Sequence, residues 1–400
     1  MNATSRALKI LFIHEVNYTN KVIFEMHEFP ELLALRGHTV SFFHYPESPD
    51  TRRVSWRTRR QSIQGRVYAE AELELITPPT WGGRPAERYL APALNYLPLR
   101  SEIVRGGYDV IVLYAVPTTG WQATALAKRH GTPLVFRALD VSHKIRRNVL
   151  SGLIRRAERF VYRNAALLSA NNPAMAEYCV EESGRIGPTV VNLPPIDLAH
   201  FIAEGVESKR GDLGIADDKR VIMYMGSFFA FSGLDTVVRM FADEVAAHPE
   251  LVLLLVGGGE LDAELRRLVS ELGLDGKVIF TGLVPYSSLP SYLQAAEVAI
   301  NPFVPELLTH VAFPHKVLQY MAAGVPAVST SLRGLRGVLG EDAGVTWVDQ
   351  PEQVLAAAVD LALGATDRRA TISASQRALI TRLFSKEEAV ISLENTLFSL

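Results

Sequence analysis

A lysine stands where a helix should begin. In FPHKVLQYMAAGVPAVST, residues 313–330, Pro314 suits a first helical turn, because its missing N–H would have no partner there anyway. Gly324 suits the residue that ends such a helix. The spacing therefore predicts a helix over 314–323. Lys316 then falls in the first turn, beside His315, where aligned peptide dipoles disfavour a cation. A bound anion would resolve that conflict. So would a lysine that lays its apolar stem along the surface and keeps its ammonium in water.

Three further loops invite chemistry. YMGSFFAFSGLD, 224–235, puts Gly226 and Ser227 at a strand end and Gly233 at a helix start. Small residues there let a phosphate approach backbone N–H groups, or simply let the chain turn. LLLVGGGELDAEL, 253–265, offers Gly257 and Gly259, but Asp262 stands where a dinucleotide-binding G-x-G-x-x-G loop needs its third glycine. A nicotinamide dehydrogenase loses its best support, and Gly257 is left either clearing space for a ligand or making a tight turn. In FTGLVPYSSLPSYL, 280–293, Leu283 and Val284 lie on apolar backbone that could flank a base, with Tyr286 able to stack. An ordinary connector would read the same way.

Each of these segments follows or leads into a short apolar run. Strands are expected at 8–15, 38–45, 109–115, 133–139 and 166–171, with helices at 22–36, 98–106, 119–130 and 150–164. VVNLPPIDLAHF, 190–201, breaks the rhythm with two prolines. A second series has strands at 220–227, 251–259, 277–283, 298–303 and 325–330, with helices at 233–247, 260–272, 288–296, 314–323, 351–363 and 366–383. Strand–helix alternation predicts α/β architecture with parallel sheets. The expected fold is two Rossmann-like, doubly wound domains, 1–195 and 196–382, facing across a cleft. Ligands belong at the carboxyl ends of such strands.

Composition narrows the classes. Hydrophobic residues make up 48% and charged residues 21%, as in ordinary soluble proteins. A net charge of −2 argues against nucleic acid as a partner. The single cysteine, Cys179, excludes an internal disulfide and a cysteine-based zinc site. The start, MNATSRALKILFIHE, lacks a signal-peptide cleavage pattern, and no run of 18 apolar residues occurs. The expectation is a soluble, cytoplasmic protein.

Taken in order, GSFFAFSGLD, LLLVGGGE, KVIFTGLVPYSSLPSYLQAAEVAINPF and FPHKVLQYMAAGVPAVST resemble the nucleotide-sugar domain of GT-B glycosyltransferases of family four. NLPPIDLAHF looks like that family's interdomain segment. YDVIVLYAVPTTGWQATALAKRHGTPLVFRALD and RRAERFVYRNAALLSAN resemble its N-terminal half, in particular the surface-polysaccharide subgroup. The resemblance implies transfer of a sugar from a nucleoside-diphosphate sugar, UDP-linked by preference, to a glycan or lipid-linked acceptor. Configuration would be retained, with no metal and no cofactor beyond the donor substrate. It also implies a final helix, about 383–400, packing on the N-terminal domain.

Residue by residue, the resemblance puts Lys316 on the donor diphosphate, with His315, Gly226, Ser227 and Gly257 around it. Leu283 and Val284 would meet the base through backbone groups. Gln319 holds the place of a glutamate that binds ribose hydroxyls. Asp140 follows the strand PLVFRAL, where the family often faces the sugar with a histidine or aspartate; His143 is a second candidate. The chain departs from the family pattern with Ser227 and Ser232 for an arginine and a lysine, and Val311 and Gln319 for a glutamate pair. The glycine pair after the first strand is missing from HEVNYTNK. Two alternatives therefore stand: a catalytically weak nucleotide-sugar-binding partner subunit, and a transferase of secondary metabolism.

Two segments concentrate basic charge. Residues 51–66 hold six arginines, and 144–163 hold seven basic residues against Glu158 alone. The second places Val149, Leu150, Leu153, Ile154, Ala157, Phe160 and Val161 at helical spacing. Such a helix either faces the core or approaches anionic lipid, which would put the protein peripherally at the inner face of the plasma membrane.

Overall fold

A computed structural model describes residues 6–45, 54–81, 87–114, 116–145, 150–202 and 205–400. Arg52, Arg53 and Val149 lie outside them. The chain divides into two compact units, Met1–Pro195 with Glu387–Leu400, and Ile196–Lys386.

The first unit contains β1 (Lys9–Ile13), β2 (Thr39–Phe43), β3 (Val54–Ser55), β4 (Arg59–Gln64), β5 (Glu72–Thr77), β6 (Thr80–Trp81), β7 (Val110–Leu113), β8 (Leu134–Ala138), β9 (Leu167–Ala170) and β10 (Thr189–Val191). Eight of these form one sheet in the order β10-β9-β8-β7-β1-β2-β5-β4, while β3 and β6 make a small ribbon. All pairs in the sheet are parallel except β4 with β5. The central strands KILFI, VIVL and LLSA are almost wholly buried, as continuous apolar runs in a covered parallel sheet should be. The final helix, Lys386–Phe398, adds Val390, Leu393 and Leu397 to this unit's core. Its Glu394 takes two hydrogen bonds from Arg36, at 2.7 and 3.1 Å, and one from His38 Nε2 at 2.8 Å.

The sequence did not announce β4. Its residues RRQSIQ are exposed almost throughout, so no apolar alternation marks them. Charged side chains suit an edge strand, which they protect from pairing with other chains.

The second unit has six parallel strands: β11 (Arg220–Ser227), β12 (Leu251–Gly258), β13 (Val278–Gly282), β14 (Val298–Asn301), β15 (Ala327–Thr330) and β16 (Thr346–Val348). Their order is β13-β12-β11-β14-β15-β16. The strand order reverses between β11 and β14, and in the first unit between β1 and β7. Chains leave such neighbouring strands in opposite directions and open a crevice at their carboxyl ends, the usual ligand position in open α/β sheets.

Candidate active site

In the second unit the crevice is floored by β11 and β14 and bordered by the helix His315–Ala323. Pro314 stands just outside this helix as its N-cap, with extended backbone, so it precedes the first turn. Gly324 ends the helix in the left-handed conformation, φ 71°.

Lys316 is half-buried. Its ammonium does not end in bulk water. Nζ donates to Tyr224 Oη at 2.6 Å and lies 3.8 Å from the Tyr224 ring centroid and 4.5 Å from that of Phe303. Tyr224 Oη in turn donates to the Ser227 carbonyl at 2.8 Å. Aromatic faces attract a cation but do not neutralise it. Among the described residues no carboxylate pairs with Lys316, and burial pushes its ammonium well below the ordinary lysine range. A desolvated cation without a counter-charge is costly in the empty state and is relieved by an anion.

The glycines explain themselves through packing. A Cβ on Gly226 would sit 2.9 Å from Lys316 Nζ, so glycine there makes room for the lysine. Gly257 lies opposite Gly226 in register, and its Cβ would come within 2.0 Å of the Gly226 carbonyl oxygen. Gly259 similarly clears the Phe228 backbone. Backbone clearance is one reason for a glycine at 257.

The remaining donor-side candidates scatter more. Ser227 is half-buried at the end of β11, and Ser232 is fully buried. Gln319 is half-buried one turn beyond Lys316, and its amide makes no hydrogen bond among the described residues. Val311 is in the core. His315 meets the edge of Phe313 with ring centroids 6.3 Å apart. Leu283 is 73% exposed and Val284 half-buried. Tyr286 stacks on His200 at 4.5 Å, so one face of its ring is already covered.

In the first unit Asp140 is exposed just beyond β8. His143 is held by Glu158, which reaches its backbone N–H and its ring. At the β1–β7 crevice, Glu15 is buried and its carboxylate takes the N–H of Thr118, the Thr118 hydroxyl at 2.7 Å and the N–H of Thr119 at 3.1 Å. It thereby caps the helix Gly120–His130.

The basic segments keep less free charge than their composition suggests. Arg60 pairs with Glu74 and Glu102, and Arg66 bonds the carbonyls of Tyr18 and Lys21. Arg155 and Arg159 share Glu182. In the helix Ser151–Asn164, Ile154 and Val161 face the core, whereas Leu153 and Phe160 are exposed along with Arg156. No helix among the described residues is long and apolar enough to cross a membrane.

Sequence reasoning missed Tyr224, Phe303, Glu158 and Glu15. The signal for Tyr224 was present: it is two residues before Gly226 on one strand, hence on the same face.

Residues 205–378 match the family described as Glycosyl transferases group 1, and residues 26–195 match the Glycosyl transferase 4-like domain. The D-inositol 3-phosphate glycosyltransferase of Geodermatophilus obscurus is 29% identical over 59% of this chain and 53% of its own. The alpha-monoglucosyldiacylglycerol synthase of Streptococcus pneumoniae is 24% identical over 39% and 34%. The chain thus spans about half or less of the length of these curated relatives. Among solved structures, Anabaena HepE in complex with UDP superposes with a TM-score of 0.73 at 19% identity, covering 98% of this chain and 100% of that one. At that identity the likeness establishes the fold, which is GT-B.

Proposed function

Starting from a chain that joins a 4-like and a group 1 glycosyl transferase domain in a GT-B fold, we propose that it moves a sugar from a nucleoside-diphosphate sugar, UDP-linked by preference, to a glycan or lipid-linked acceptor. The transfer retains configuration and uses no metal. The observation that carries this reading is the Lys316 ammonium, held between Tyr224 and Phe303 at the β11–β14 crevice with no carboxylate partner among the described residues.

Breaking the sugar–phosphate bond gathers negative charge on the departing diphosphate. A cation fixed in advance at that place lowers the barrier, and one such preorganised group contributes about 3–4 kcal/mol. Lys316 fills that role, with the Gly226–Ser227 backbone, His315 and the helix N-terminus beside it. Leu283 and Val284 offer backbone to the base, Gln319 meets ribose hydroxyls, and Asp140 and His143 serve the sugar.

The acceptor reading is cell-surface polysaccharide or glycoconjugate. Exposed Leu153 and Phe160 beside Arg156 favour peripheral contact with anionic lipid, on the cytoplasmic side. Salt-sensitive flotation with anionic vesicles, weakened by Leu153→Glu, is the expected result. No binding at low salt would remove this part.

A thermal-shift series with UDP, GDP and ADP tests the donor reading, because a ligand that binds only the native state raises its stability. UDP is expected to give the largest shift. No shift with any of the three would overturn the proposal. Serines at 227 and 232 and the amide at Gln319 favour a second reading, a binding subunit without turnover. UDP binding with neither hydrolysis nor transfer of UDP-glucose would select it.

A further inference from the structure

Beyond β8 the short helix Ser142–Ile145 sets a half-buried His143 against a buried carboxyl group. Glu158, on the helix Ser151–Asn164, is fully buried. One carboxylate oxygen accepts the His143 backbone N–H at 3.2 Å, and the other lies 2.5 Å from His143 Nδ1. The imidazole keeps 10% of its surface open, and its Nε2 makes no hydrogen bond among the described residues. We propose that Glu158 is a positioning residue: it clamps His143 by ring and backbone together and decides which ring nitrogen carries the proton, so that Nε2 alone is offered to a sugar hydroxyl. This rests on the reading of His143 as sugar-facing.

The surroundings set the proton count. Burial pushes Glu158 up to about 8; the backbone N–H groups of His143 and Ser142 oppose that shift, while Asp140 and Glu182 add to it. Burial pushes His143 down, helped by the cations Arg155, Lys144 and Arg159 and opposed by Glu182. Tyr162, Tyr178 and Cys179 also face Glu158, and burial pushes each of them up, so they stay neutral through the same range. Near neutral pH the carboxyl O–H therefore donates to Nδ1, which leaves the hydrogen on Nε2 and makes that nitrogen a donor. Above about pH 8 the pair loses one proton. Nδ1–H then donates to the carboxylate, and Nε2 becomes an acceptor. The hydrogen bond offered to the sugar reverses direction.

Nitrogen-15 spectra of the imidazoles in the full chain, from pH 6 to 9.5, test the inference, with His143→Gln identifying the signals. Wild type is expected to carry the Nε2–H form at low pH and the Nδ1–H form above about pH 8. In Glu158→Gln the amide donates to Nδ1 at every pH, so the Nε2–H form should persist throughout. A wild-type ring that charges near the ordinary histidine value, or the same tautomer profile in both proteins, would overturn the proposal. Turnover of UDP-glucose adds a second reading. Wild-type kcat should change near pH 8 and lose that limb in Glu158→Gln, with KM for UDP-glucose unchanged. A kcat limb of the same size and midpoint in both proteins, at UDP-glucose high enough to keep the donor site filled, would also overturn it. Absence of any wild-type turnover would sink the transferase reading while the spectra still decide the pair.

Discussion

The two crevices share a topology and oppose each other in charge. At β1–β7 the N-terminus of the helix Gly120–His130 is met from inside the chain by the Glu15 carboxylate. At β11–β14 the chain supplies a cation, Lys316, and no carboxylate among the described residues to balance it. One site has its anion built in. The other sets its charge against two aromatic rings. The contrast teaches that fold alone does not make a binding site: the same reversal of strand order yields a closed electrostatic pair in one unit and an open one in the next.

The largest test of this contrast is Lys316→Ala. Calorimetry should show UDP affinity falling about 100-fold, close to 3 kcal/mol for a charge-assisted contact. The thermal midpoint should not fall, because an unpaired buried cation has been removed. Equal affinity in both proteins would erase the difference between the crevices.

The pH dependence comes next. Lys316 is depressed in the folded chain and ordinary, near 10.4, in the unfolded one. Between those two values the unfolded state binds more protons, so the stability of the ligand-free protein should rise with pH through that window. With Lys316 on the diphosphate, as proposed, UDP binding should weaken over the same window, by up to about tenfold per pH unit. Slopes of the same sign, measured by denaturation and by calorimetry, would refute the assignment of both effects to one group.

Glu15→Gln acts on the opposite crevice. Losing the negative charge at a helix N-terminus should cost about 1–2 kcal/mol in urea unfolding while UDP affinity stays put. A fall in UDP affinity without a stability change would invert the comparison. The smallest effect is expected from Gln319→Glu. Restoring a carboxylate to the ribose position should raise UDP affinity about fivefold, roughly 1 kcal/mol. No gain would mean that this position does not meet the ribose.

Much of the framework was legible because long apolar runs declare themselves. β11 and β12 occupy 220–227 and 251–258, and the helices at 351–363 and 366–383 lie where periodicity put them. β4 and β16 were not legible: one is an exposed arginine-bearing edge, the other three half-buried residues. Lys316 stood out as a charge against the local pattern. Its partners did not, since Tyr224 and Phe303 read as plain core aromatics. Glu158 looked like the lone acid of a basic helix, and only folding brought it to His143, fifteen residues earlier.

The facing glycines of β11 and β12 carry a practical warning for mutational mapping. A methyl group at 257 would collide with the Gly226 carbonyl and displace the strand beneath Lys316. An alanine scan read by activity alone would therefore not separate a ligand contact at Gly257 from this backbone clash. The loss would travel through the backbone of Gly226, and a second change that shortens the side chain at 316 would not restore it.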